Sequence, residues 1–141
     1  MKFSALFAPL ALALLGPYTT LADEVSYDTA YDNSAASLST VACSDGANGL
    51  ITRGFTTFGS LPGFPHIGGA AAIAGWNSPS CGTCWALTYT NMTINVLAID
   101  VAKYGFNIAL SAMNHLTNGN AVQYGRINVT STSVAPSVCG L

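Results

Sequence analysis

Two carboxylates are the side chains in this sequence best suited to chemistry. Asp100 follows an apolar stretch, residues 95–99, and a carboxylate at a strand end can accept hydrogen bonds from sugar hydroxyls. Asp45 lies in an Asp-Gly turn and is the second candidate. Glycosidases usually need two carboxyl groups about 5 Å or about 6.5–9.5 Å apart. If Asp45 and Asp100 have such a separation, weak glycoside hydrolysis is the alternative function. The structural alternative for Asp100 is to accept hydrogen bonds from backbone amides of the turn over residues 100–105.

The two histidines, His66 and His115, do not indicate a metal site. His66 lies in a loop rich in Gly and Pro, and His115 lies in a predicted helix; neither has companions at metal-ligand spacing. No Ser-His-Asp pattern stands out either. We therefore expect a non-catalytic protein that uses neither a metal nor a cofactor.

Residues 75–85 organise the chain, because they contain two of the four cysteines and both tryptophans. Four cysteines can pair in three ways. A Cys81–Cys84 bond would close a very small ring, whereas Cys43–Cys81 with Cys84–Cys139 closes two long loops, each contributing roughly 4 kcal/mol by chain entropy. The Cys-Gly-Thr-Cys spacing also occurs in redox sites, but no βαβ pattern precedes it here. Loop length thus favours two structural disulfides.

Residues 1–22 have the pattern of a secretory signal peptide. Lys2 precedes an apolar region over residues 3–15, and Thr20-Leu21-Ala22 is a small-x-small cleavage site. The apolar region is shorter than the ~20 residues of a membrane span, and Pro9 interrupts it. We expect a secreted, extracellular protein without a membrane anchor, whose residues 23–141 form one domain.

The charge balance indicates a neutral partner. The formal net charge is −2, and charged residues make up 7 % of the chain, against about 25 % in ordinary soluble domains. Nucleic acids and anionic membranes require clustered Lys and Arg, so both are excluded as partners. A hydroxyl-rich polysaccharide fits this surface, and we expect the protein to be monomeric.

Hydrophobic periodicity predicts an all-β fold with short helices. Residues 85–90 and 93–99 are rich in β-branched and aromatic side chains and predict a hairpin around Asn91-Met92. Residues 108–116 have helical spacing, and residues 123–134 alternate like a strand. These elements and the abundant turn residues favour a small β-barrel.

The segments between these elements are predicted from composition. Residues 27–38 are polar and predict an extended arm, residues 58–69 contain four glycines and two prolines and predict a loop, and residues 69–74 predict a short helical turn. The loop either exposes an apolar patch or folds against the barrel. Its apolar residues are Phe58, Leu61, Phe64 and Ile67.

Five motifs across essentially all of residues 23–141 resemble the cerato-platanin family of small secreted fungal proteins. They are Val25-Ser26-Tyr27-Asp28, Cys43-Ser44-Asp45-Gly46, Leu61-Pro62-Gly63-Phe64-Pro65, the Trp/Cys stretch 75–85, and Gly105-Phe106-Asn107. The resemblance implies a six-stranded double-psi β-barrel related to expansin domains. It also implies the disulfides Cys43–Cys81 and Cys84–Cys139, the pairing that loop length favours.

The resemblance further implies a function. Family members bind N-acetylglucosamine oligomers or chitin, act weakly on walls in an expansin-like way and provoke plant defence responses. The expected partners are therefore chitin or its oligomers, with cellulose or other wall glucans and a plant receptor as further partners. A surface-active coat protein of the cell wall is an alternative.

The same resemblance marks the candidate binding residues. Asp100 is the centre of the site, Asn107 is a groove residue whose alternative role is a helix N-cap, and Asp45 stands where the family has Asn or Asp. Trp76 and Tyr27 are candidates for stacking on sugar rings, as is Tyr31, whereas Trp85 is expected in the core. The turn Val101-Ala102-Lys103-Tyr104 departs from the small, basic family turn and would alter one wall of the groove.

Two N-glycosylation sequons are present. They begin at Asn91, at the predicted hairpin tip, and at Asn128, in a predicted strand that must face solvent for modification.

Overall fold

The computed structural model describes residues 22–141, in which six strands form a closed barrel. The strands are β1 Ala22–Tyr27, β2 Ile67–Ala70, β3 Cys84–Tyr89, β4 Met92–Val101, β5 Phe106–Ile108 and β6 Arg126–Val134. They follow one another around the barrel in the order β1-β5-β2-β4-β3-β6, and β6 pairs with β1 to close it. The pairs β1–β5 and β2–β4 are parallel and the others antiparallel. The predicted six-stranded, all-β barrel is confirmed.

Two α-helices pack beside the barrel, α1 at Leu110–Thr117 and α2 at Ala121–Tyr124. Met113 and Leu116 on α1 are buried, as the helical spacing predicts. The amides of Leu110 and Ser111 donate to the Asp32 carboxylate at 2.8 and 3.0 Å. An acceptor from the N-terminal segment therefore caps α1, whose N-cap position is Ala109. The alternative role of Asn107 as that N-cap was wrong.

Two disulfides join distant parts of the chain at the start of β3. Cys43 bonds to Cys81 and Cys84 bonds to Cys139, with Cα–Cα distances of 5.4 and 5.7 Å. Both distances lie within the usual disulfide range. The predicted pairing is confirmed, and it ties the segment before Gly46 and the C-terminal segment to one strand.

The arm and the loop predicted from composition both fold against the barrel. Residues Thr29–Asp32 form a 3₁₀ helix, and Tyr31 is only 6 % exposed, so the prediction of an extended arm was wrong. Phe58, Leu61 and Ile67 of the loop are buried in the core. Of the two alternatives for this loop, the structure therefore shows the one in which it folds against the barrel and exposes no apolar patch.

Strand β2, of sequence Ile-Gly-Gly-Ala, replaces the predicted start of a short helix at residue 69. A Cβ atom on Gly68 would lie 2.4 Å from the backbone oxygen of Asn107, and one on Gly69 would lie 2.6 Å from that of Val101. The neighbouring strands approach so closely that only glycine fits. The register shifts between Gly68 and Gly69, which marks a bulge.

The predicted signal peptide lies outside the described residues except for Ala22, which opens β1 opposite Thr130. Within residues 22–141, no helix combines the length and the apolar character of a membrane span.

The crowding around β2 generates a stability prediction. The substitution Gly68→Ala places a methyl group against the β5 backbone and should lower the free energy of unfolding by about 3 kcal/mol or more. Gly75→Ala is the matched control, because a Cβ at Gly75 meets no atom within 4 Å, and it should stay within about 0.5 kcal/mol of the parent. Urea unfolding of the oxidised protein measures both; equal losses would contradict the steric argument.

Candidate functional site

Four paired positions form a row across the outside of the barrel. Ser26 on β1 pairs with Asn107 on β5, Asn107 pairs with Gly69 on β2, and Gly69 pairs with Asp100 on β4. Directly paired residues project to the same face of a sheet. Because adjacent strands are about 4.8 Å apart, the Asp100 and Asn107 backbones are about 10 Å apart. Gly69 between them is buried, with Val101 and Ala102 packed over it.

The Asp100 carboxylate at one end of this row accepts three hydrogen bonds. It accepts hydrogen bonds from the amides of Ala42 and Val101 at 3.1 and 2.8 Å and from the Tyr31 hydroxyl at 3.0 Å. Burial raises the pKa of Tyr31, and the negative charge of Asp100 raises it further, so the phenol remains a donor. The structural alternative for Asp100, capping the amide that follows it, is therefore present. Tyr31 is a partner of Asp100 and does not offer its ring to a sugar.

Asn107 at the other end of the row borders a cleft of about 410 Å³. Its side-chain oxygen accepts a hydrogen bond from the Ser26 hydroxyl at 3.0 Å. The divergent turn forms the opposite wall, where Tyr104 is 65 % exposed and the Lys103 ammonium lies 5.7 Å from its ring centre. The cleft therefore presents an exposed aromatic ring beside an amide that donates and accepts hydrogen bonds.

Two opposite charges line the same cleft. The Arg126 guanidinium and the Glu24 carboxylate are 2.7 Å apart, and both side chains are about half exposed (57 % and 48 %). An exposed pair of this kind contributes little stability, about 0–1 kcal/mol, so its groups stay available to a polar ligand.

A separate pair joins Asp45 to Trp76. The indole Nε1 of Trp76 donates to the Asp45 carboxylate at 2.7 Å, while the Trp76 side chain remains 63 % exposed. This hydrogen bond lowers the pKa of Asp45. Asn77 supports the turn, because its Oδ1 accepts from the Asn48 amide at 2.9 Å. The result is a fixed, solvent-facing indole beside a carboxylate.

The structure thus places the predicted binding residues in two contact groups. Asn107 and Asp100 share the outer row, and Asp45 and Trp76 form their own pair. Tyr27 ends β1 and is half buried against the core. Trp85, which was expected in the core, is only partly buried and packs its ring edge against the core residue Phe106 at 5.5 Å between centroids. The sequence analysis did not name Tyr104 as a binding residue. The available signal was a tyrosine in a turn where the family has small residues.

The described residues 22–141 contain no group of three or more His, Cys, Asp or Glu side chains arranged to hold a metal ion. The two sequons meet the exposure requirement. Asn91 is exposed at the β3–β4 turn, and Asn128 is exposed between the buried Ile127 and Val129 of β6. Glycosylation at both remains a prediction.

Comparison with known proteins supports the resemblance seen in the sequence. The family model described as Cerato-platanin matches residues 23–141. The chain is 49 % identical over 146 residues to the "Heat-stable 19 kDa antigen" of Coccidioides immitis, an alignment that covers 100 % of this chain and 99 % of that protein.

Solved structures show the same fold. Cerato-platanin 2 from M. perniciosa is 54 % identical with a TM-score of 0.82, covering 86 % of this chain and 100 % of that one. The solution structure of the fungal elicitor Cerato-Platanin is 41 % identical with a TM-score of 0.73, covering 82 % of this chain and 95 % of that one.

The hydrogen bonds of Asp100 generate a second stability prediction. Asp100→Ala removes the acceptor of two amides and of the buried Tyr31 hydroxyl, and it should lower the free energy of unfolding by about 2–4 kcal/mol. Asp28→Ala is the control, because Asp28 accepts one bond from the exposed Ala30 amide, and it should cost about 1 kcal/mol. Denaturant unfolding compares them. A loss below that of the control would show that Asp100 has no structural role.

The indole–carboxylate pair generates a pH prediction. Trp76→Phe removes the donor that lowers the pKa of Asp45, so this pKa should rise towards the ordinary aspartate value. Because the folded pKa is the lower one, the hydrogen bond stabilises the fold above the unfolded pKa, and this contribution disappears as the pH falls through the folded pKa. Carbon NMR of the side-chain carboxyl across the acidic range measures it. Trp85→Phe removes an indole bonded to Thr83 and should leave Asp45 unchanged; identical titrations in both variants would contradict the assignment.

Proposed function

Because this chain belongs to the cerato-platanin family, we propose that it is a secreted, non-catalytic protein that binds N-acetylglucosamine oligomers through the Asn107–Tyr104 cleft. A related protein is described as a fungal elicitor and another as an antigen. We extend the elicitor role to this chain and propose that plants perceive it through a receptor. Chitin is the proposed polymer, with cellulose or other wall glucans as further partners.

The observation that carries this proposal is the exposed Tyr104 ring beside Asn107. A pyranose ring has an apolar face that can stack on an aromatic side chain, while its hydroxyl and acetamido groups need donors and acceptors. Tyr104 offers the first, and Asn107 and Ser26 offer the second. The cleft volume of about 410 Å³ lies within the range of small-molecule sites, roughly 300–1,000 Å³.

The outer row and the Asp45–Trp76 pair extend the proposed surface. Asp100 lies about 10 Å from Asn107 across two strand spacings, so the row is long enough to contact more than one sugar unit. Asp100 uses three of the roughly four acceptor positions of a carboxylate, which leaves one for a ligand. Trp76 supplies a second exposed aromatic ring. The role of Tyr27 in stacking remains a prediction, for which its half-buried position gives little support.

Non-catalytic binding is preferred to hydrolysis by Asp45 and Asp100. A glycosidase acid must keep its proton near neutral pH, which requires a raised pKa. The hydrogen bond from Trp76 moves the pKa of Asp45 in the opposite direction. Asp100 in turn is engaged by two amides and a phenol. These contacts support a role for both residues in holding structure and ligand.

The alternative function, a surface-active coat protein, is no longer supported by an exposed apolar loop. That alternative rested on an exposed apolar loop, and Phe58, Leu61 and Ile67 lie in the core. Secretion and association with the cell wall remain part of the proposal, supported by the two disulfides, which persist in oxidising compartments.

An amide NMR titration of the oxidised protein with N-acetylglucosamine tetramer tests the proposal. We expect shifts concentrated at Ser26, Tyr104 and Asn107, and about tenfold weaker binding in Tyr104→Ala and Asn107→Ala, which corresponds to about 1.4 kcal/mol for each lost contact. Val138→Ala is the control, because Val138 is 52 % exposed and lines a different cleft. Its affinity should equal that of the parent.

Three further measurements test the sugar specificity, the position of the site and the absence of hydrolysis. Maltotetraose should cause no shifts at the same concentration, and cellotetraose measures whether the acetamido group is required. Shifts confined to Asp45 and Trp76 would move the site to that pair and overturn the cleft assignment. Release of reducing ends from the tetramer that disappears in Asp45→Asn would overturn the non-catalytic function.

A further inference from the structure

The fold brings the only two histidines of the chain together. His66 precedes β2 and His115 lies on the exposed side of α1, yet His115 Nδ1 and His66 Nε2 are 3.1 Å apart. The ring centroids are 5.2 Å apart with 54° between the planes. Spacing along the chain does not reveal this pair, because 49 residues separate the two positions.

In the part of the chain that the structure describes, the surroundings of the pair contain no charged side chain that would compete for a bound ion. Within the described residues, the lining of the cleft between them contains no Asp, Glu, Lys or Arg. The polar side chains facing the pair are Thr93 and Asn95 of β4. A neutral imidazole offers a nitrogen lone pair, the form that binds metal ions.

The nitrogen–nitrogen distance matches two ligands of one ion. Zinc–nitrogen bonds of about 2.0–2.1 Å place two ligands about 3.3–3.4 Å apart at the tetrahedral angle and about 2.9 Å apart at a right angle. The observed 3.1 Å lies between these values, so the two nitrogens already have the spacing of two ligands that share one ion.

The space beside the pair favours the same arrangement. The cleft beside the pair has a volume of about 270 Å³, which is room for the waters that would complete the coordination.

We propose that His66 and His115 form a two-histidine site for a divalent transition-metal ion of the Cu²⁺ or Zn²⁺ type. Imidazole suits these ions, and Cu²⁺ binds most tightly in the general order of divalent metals. Hard ions such as Mg²⁺ prefer oxygen ligands and should not bind. A bound ion links α1 to the segment before β2, so it stabilises the folded protein and leaves the sugar cleft unaffected.

Calorimetric titration of the tag-free, oxidised protein with ZnCl₂, CuCl₂ and MgCl₂ at neutral pH tests the site. We expect one equivalent of Cu²⁺ to bind, Zn²⁺ to bind more weakly and Mg²⁺ not to bind. With Zn²⁺ at about 100 times its Kd, the melting temperature should rise by about 5–10 °C. Lowering the pH should release the ion, because protons compete for both nitrogens.

The variants His115→Gln and His66→Gln identify the ligands. His115 is exposed, so its replacement should fold normally, and each variant should bind at least tenfold more weakly than the parent. Val122→Ala is the control and should bind as the parent does, because Val122 is exposed on α2 and lines neither cleft. Zn²⁺ should also shift the imidazole ring protons of the parent in NMR spectra. Absence of binding at about 1 mM ion, or equal binding by the double variant, would overturn the proposal.

Discussion

The close approach of β4 and β5 to β2 is the constraint on which both the barrel and the candidate site depend. A side chain at Gly68 or Gly69 would overlap the backbone of the adjacent strands, so hydrogen atoms alone fit there. Tight contact lets a four-residue strand connect two neighbours and close the barrel. The same close approach places Asp100 and Asn107 on either side of the buried Gly69. Closure of the fold and the spacing of these two polar side chains thus have one physical cause.

The few acidic side chains of this protein accept hydrogen bonds from other parts of the chain. All six acidic residues accept at least one hydrogen bond. They are Asp23, Glu24, Asp28, Asp32, Asp45 and Asp100. Several of these bonds span long stretches of sequence, as when Asp32 caps α1 and Asp100 holds the segment before Cys43. A chain with so few ions therefore uses its carboxylates with two disulfides to fix segments that have little regular structure of their own.

The elements predictable from the sequence were those whose pattern is local. The β3–β4 hairpin, α1 and β6 each carry their periodicity within about ten residues, and the structure contains all three. Strand β2 was not predictable, because two glycines carry no pattern and only the neighbouring strands require them. The same limit applies to the site. Asp100 and Asn107 stood out by position, whereas the partners of Asp100, the exposure of Tyr104 and the His66–His115 contact depend on residues far apart in the chain.

The turn between β4 and β5 is anchored at both ends and exposes Lys103 and Tyr104 between them. At one end, Asp100 binds the amide of Val101. At the other, Gly105 has a positive φ of 48°, and a Cβ there would lie 2.0 Å from the Glu24 backbone oxygen. Lys103 and Tyr104 can be exchanged without disturbing the barrel, whereas Val101 pairs with Ala70 and the buried Ala102 donates its amide to the Ala70 carbonyl. Substitutions in the exposed part of this turn can therefore change what the protein recognises while the barrel stays the same.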